Sequence, residues 1–120
     1  MRRSALTVEN ESVVDIISTK PDGVTVVLTI RDHLDWVDTS QHQVVLQNKL
    51  NRYLAFVESG ELLEAYPTPK GCAVEFKIVF RHQPDTAGRV FLINAKQVVE
   101  SAGFTLHTTV FADSIVNQLT

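Results

Sequence analysis

The sequence predicts an α+β two-layer sandwich: a mainly antiparallel sheet of four to five strands with two helices on one face, a variant of the ferredoxin-like plan. Three observations carry this expectation. Several short runs alternate apolar and polar residues with the period of a strand. Two longer runs place their apolar residues on one helical stripe, and from Val24 onward the two kinds follow in the order βαββαβ. At 120 residues and 13.4 kDa the chain holds one domain. No repeat, linker or composition shift divides it. A single domain over 1–120 is therefore expected, flexible over 1–12 and ending in a tail over 112–120.

Val13 to Ser18 is rich in β-branched residues and leads into Lys20-Pro21-Asp22-Gly23. Proline presets one turn dihedral and glycine accepts positive φ, so the chain reverses there. Val24 to Ile30 alternates, with Val24, Val26, Leu28 and Ile30 on one side, and forms a hairpin with its predecessor. Asp32 to Asp38 breaks the alternation. A helix then starts at Thr39 or Ser40 and runs to Ser59, with Gly60 just beyond its end. Leu46, Leu50, Tyr53, Leu54 and Val57 share its apolar stripe, widened by Val45 and Phe56.

Glu61 to Tyr66 is read as a short strand, the first arm of a second hairpin closed by Pro67-Thr68-Pro69-Lys70-Gly71. Cys72 to Phe80 is the second arm. Gln83-Pro84-Asp85 introduces a helix from Thr86 to Ala102, stopped by Gly103. Its predicted buried stripe is Ala87, Phe91, Ala95, Val98 and Ala102, flanked by Leu92 and Val99. Phe104 to Phe111 is the last strand. A tight first hairpin sets the first strand beside the second, whereas the plain ferredoxin order encloses that second strand on both sides. Strand order therefore stays open.

Composition narrows the function. The formal charge of −3 argues against a nucleic-acid partner, which would call for a net basic face. RNA binding on an open sheet is disfavoured too, because Thr25, Thr29, Lys77 and His107 offer no aromatic platform. A single cysteine, Cys72, excludes an internal disulfide and a multi-cysteine zinc site, and is expected to be a buried, inert thiol. No apolar run is long enough for a signal peptide or a membrane span, so no membrane partner is expected and the cytoplasm is the expected compartment. G-x-S-x-G, Walker and G-x-G-x-x-G motifs are missing, and no cofactor is expected.

The densest polar cluster is Asp32, His33, Asp35 and Asp38, with His42 one helical turn on and Trp36 in its midst. Carboxylates and imidazoles side by side suit a divalent metal, a small ligand or acid–base work. His82 would join them if the strands ran parallel there. The plainer expectation is structural: the aspartates bond backbone N–H groups and cap the helix, while Trp36 plugs the gap between helix and sheet. Glu58, Glu61 and Glu64 form an acidic stretch, read as a solvated face. The sheet face away from the helices would carry Thr25, Val27, Thr29, Lys77, Val79 and His107, a candidate interaction face. Val44, Ala55, Val90 and Ile93 also point outward from the helices. Together they favour a homodimer or a protein partner.

The run Val27-Leu28-Thr29-Ile30-Arg31-Asp32-His33-Leu34-Asp35-Trp36, followed by Tyr53-Leu54-Ala55-Phe56-Val57-Glu58-Ser59-Gly60, resembles a small uncharacterised bacterial family with a V-L-T-I-x-D-H-L-D-W signature and a Y-L-x-F-x-E-S-G continuation. The likeness resumes at Ala65-Tyr66-Pro67, at Gly71 and at Ala102-Gly103-Phe104. It implies a compact stand-alone domain and brings no activity or catalytic residue with it. The expected function is a non-catalytic interaction or self-associating module. The alternative is a small-ligand or metal-binding protein, or a small enzyme, using the Asp32-His33-Asp35 loop.

Overall fold

The computed structural model describes residues 16–66 and 72–110. Strands β1 (Ile16–Thr19) and β2 (Thr25–Asp32) form the expected antiparallel hairpin. Its turn is held by Asp22, whose Oδ1 accepts from the backbone N–H groups of Val24 and Thr25 at 2.8 and 3.0 Å. Gly23 supplies the positive φ of 75°. Helix α1 (Thr39–Glu58) follows, then a short helix α2 (Glu61–Ala65), strand β3 (Ala73–Phe80), helix α3 (Thr86–Ser101) and strand β4 (Thr105–Val110).

The four strands lie in the order β1-β2-β3-β4, with β2–β3 and β3–β4 both parallel. The expected mainly antiparallel sheet is thereby corrected to a mixed one. Glu61 to Ala65 decides the matter. It is a helix, not the arm of a hairpin, and its Glu-Leu-Leu-Glu-Ala run lacks β-branched residues. Without that strand, β2 reaches β3 by a helical crossover, and a crossover joins parallel neighbours. Two successive crossovers step the same way along the sheet, and α1 and α3 pack on one face, as crossovers of one hand require. The two-helix layer of the expected sandwich is present, and the two helices touch.

Core residues alternate along the strands as a half-covered sheet requires. Val26, Leu28 and Ile30 of β2, Phe76, Ile78 and Phe80 of β3, and Leu106 of β4 are buried against Leu46, Leu50, Tyr53 and Phe56 of α1 and Val99 of α3. The α1 stripe is wider than apolar spacing alone indicates, for His42 and Lys49 lie on it in the same register as Leu46 and Tyr53. Tyr53 donates its phenolic proton to the Thr29 carbonyl at 2.8 Å, anchoring the helix to the sheet backbone.

The α3 stripe is rotated from the expected one. Gly88 and Val99 are buried and Phe91, Leu92 and Ala95 half-buried, whereas Ala87 and Ala102 are exposed and Val98 is 61% exposed. Nearly every face of α3 holds an apolar residue, so periodicity leaves its phase undecided. Residues 13–15 of the expected first strand, the Pro67–Gly71 turn, Phe111 and the 1–12 and 112–120 termini lie outside the described residues. Among those described, no helix is long and apolar enough to cross a membrane.

Candidate functional site

The Asp32–Trp36 connection leaves the end of β2 and turns over the edge of the sheet into α1. Asp32 is 1% exposed and His42 2% exposed, and they meet: Nε2 of the ring lies 2.5 Å from Oδ2 of the carboxylate. The other oxygen, Oδ1, accepts from the Leu34 backbone N–H at 3.0 Å. On the far side of the ring, Nδ1 lies 2.9 Å from the Asp35 carbonyl oxygen. A carbonyl only accepts, so Nδ1 is the donor on that side, and Nε2 is taken up by its hydrogen bond with Oδ2. Trp36 stacks on the same imidazole, with ring centres 3.7 Å apart and planes 22° from parallel.

Trp36 joins the first helix to the second crossover through several contacts. Its indole N–H donates to the His82 carbonyl at 3.2 Å and its ring packs against Phe80. Its six-membered ring presses on Gly88 so closely that a Cβ there would fall 2.8 Å from Cζ3. The parallel β2–β3 pairing does bring residue 82 to this loop, but through the backbone carbonyl. The His82 side chain is exposed.

Both helix starts are tied to the same place. Asp38 caps α1 by accepting from the Gln41 N–H at 3.1 Å, and Asp85 caps α3 by accepting from the Gly88 N–H at 2.8 Å. The Thr39 hydroxyl bridges them, 3.0 Å from the Trp36 carbonyl and 2.5 Å from Oδ2 of Asp85. This hydroxyl, and then the Gly88 N–H, hold the Asp85 carboxyl below the ordinary aspartate value.

The remaining candidates are dispersed. His33 and Asp35 are exposed, and Asp35 accepts from the Val37 N–H at 3.1 Å in a local turn. Cys72 is half-buried beside β3. Glu61 pairs with Arg52 at 3.1 Å at the surface, while Glu58 and Glu64 are exposed. No group of three or more histidine, cysteine, aspartate or glutamate side chains converges among the described residues.

On the far sheet face, Thr25, Thr29, Lys77 and Val79 are half-buried, Val27 is buried and His107 is exposed. Glu75, also on that face, is buried and paired with Lys20 at 2.7 Å, with His107 Nε2 at 3.8 Å from the same oxygen. That hydrogen bond from Lys20 raises the lysine above its ordinary value.

Sequence reasoning singled out Asp32 and Trp36 but not the fit of Asp32 to His42, nor the link from Thr39 to Asp85. The legible signal for the first was register. His42 stands four and eleven residues before Leu46 and Tyr53, hence on the buried stripe. The second, across 46 residues, has no local signal.

Comparison with known proteins adds a family and nothing about chemistry. No curated protein and no solved structure matches the chain. A family description covers residues 6–112 and with them both the Asp32–Trp36 connection and the two helices it binds together. The chain belongs to that family, a family of unknown function (DUF6572).

Proposed function

We propose that this chain is a non-catalytic interaction domain, working through broad surfaces and not through a reactive pocket. The commitment of the Asp32–His42 pair carries the reading. An imidazole that acts as a general base bonds its orienting carboxylate with one nitrogen and presents the other to the substrate. Here one nitrogen faces Asp32 and the other faces a backbone carbonyl, so neither remains to take a substrate proton. The apolar side chains on the outer helix surface support the same reading: Val44, Val90, Ile93 and Val98 are each 50–61% exposed.

The test is the His33→Ala/Asp35→Ala double variant, compared with the wild type for thermal melting, sedimentation across a dilution series and capture of a protein partner from cell lysate. Association should survive the substitutions. Loss of association at an unchanged melting temperature would move the function into the loop. A wild-type chain that neither self-associates nor captures a partner would end the proposal.

A further inference from the structure

The outer surface of the two-helix layer is uncharged to an unusual degree. The exposed residues of α1 between Ser40 and Ala55 are Ser40, Gln41, Val44, Gln47, Asn48, Asn51 and Ala55. The two cations of that stretch lie elsewhere: Lys49 is buried, and Arg52 is drawn to Glu61. The charges of α3, Arg89, Lys96 and Glu100, all fall on its flank away from α1, because steps of seven and four residues return to one side of a helix. Its α1-facing side carries Phe91, Asn94 and Val98. Exposed helix faces normally carry lysine, glutamate and arginine, whereas interface centres are depleted of charge.

Between the helices runs an apolar groove of about 230 Å³, floored by Leu50, Leu54, Phe91 and Val99, with the amides of Gln47, Asn51 and Asn94 along it. The Thr39–Asp85 hydrogen bond fixes both helix starts together, so α1 and α3 run side by side in the same direction. Val44 and Val90 therefore mark the upper end of the face and Val98 the lower.

We propose that a second copy of this chain covers the α1–α3 face, packed antiparallel about a two-fold axis perpendicular to the helices. The chemistry selects a like partner. A face without fixed charge has nothing to steer or satisfy a charged surface. Primary amides donate and accept equally, so Asn51 and Asn94 complement their own copies. A perpendicular two-fold also sets the lower Val98 of one copy against the upper Val44 and Val90 of the other, apolar on apolar.

The face is smaller than a standard interface. Sixteen residues of α3 and a helix spacing of 8–10 Å give a face of about 24 by 20 Å, on the order of 500 Å² in projection. A standard stable interface buries about 800 Å² per partner, so the dimer should be a weak one that dissociates on dilution.

The proposal rests on the interaction-domain reading and is tested separately from it. Sedimentation velocity from about 1 to about 500 μM, a span suited to weak association, should carry the wild type from 13.4 kDa to twice that mass. Val98→Glu should stay at 13.4 kDa throughout with its melting temperature retained, while Ile93→Glu, on the other side of α3, should dimerise as the wild type does. A wild type of 13.4 kDa at every concentration, or a Val98→Glu variant that still dimerises, overturns the second copy as occupant. A monomeric wild type that captures another protein through Val98 also overturns it, yet leaves the interaction-domain reading standing.

Discussion

Replacing His42 by leucine probes whether the Asp32 joint holds the sheet to α1. The substitution leaves the Asp32 carboxyl 1% exposed with one backbone N–H as its remaining hydrogen bond among the described residues. Breaking a buried ion-paired contact from one side costs about 3–5 kcal/mol, and the lost stacking on Trp36 adds about 0.5–1.5 kcal/mol. At roughly 4 °C per kcal/mol for a domain of this size, the melting temperature should fall by about 14–26 °C. The Asp32→Leu/His42→Leu double variant should recover much of this, because it removes the stranded charge. The Leu34 N–H then loses its acceptor and the Asp35 carbonyl its donor, at about 1–3 kcal/mol each. Urea unfolding of the wild type, both single variants and the double variant closes the cycle. A His42→Leu loss below about 1 kcal/mol, or a double variant as unstable as the two singles added, would refute the assignment of this pair as the joint.

Two further expectations follow from the same region. Gly88→Ala should destabilise by about 1–3 kcal/mol, since its methyl would meet the Trp36 ring at 2.8 Å, and tryptophan fluorescence should shift as the indole is displaced. A stabilising outcome would show that the Trp36–Gly88 contact is loose. Thr39→Val removes the principal group that lowers Asp85. A carboxyl with a depressed folded value stabilises the fold above its unfolded value, and that contribution is lost as pH falls through the folded one. Thr39→Val should therefore be less stable than the wild type near neutrality, and the gap should narrow as pH falls through the Asp85 titration. A gap that is constant down to acid pH would exclude the bond to the Asp85 carboxylate as its source.

The hairpin was legible because Pro21, Asp22 and Gly23 impose a local geometry that nothing distant has to supply. The helix boundaries were legible for a related reason: Asp38, Asp85, Gly60 and Gly103 act within one turn of the ends they define. Strand direction was not local. It hung on five residues, Glu61 to Ala65, whose short apolar run fits a strand or a helix until it is placed beside α1. Reading them as a strand made the sheet antiparallel; as a helix they leave two crossovers and a parallel order. The phase of α3 failed for want of contrast, since Val90, Phe91, Leu92, Ile93, Val98 and Val99 are spread around it and Ile93 stands even on its charged flank. Within the loop, the aspartates could be assigned to turns and caps from spacing. The buried histidine that completes the joint is seen from spacing only when polar residues are allowed on a core stripe.

The parallel register also shapes how the chain reaches its native state. Partners on β2 and β3 lie 48 residues apart and those on β3 and β4 lie 30 apart, while the hairpin closes over a few residues. Loop closure over such spans is the slow part of assembly. The hairpin and α1 are therefore positioned to form early, and the β2–β3 pairing, which closes the longest span, should gate the folding rate.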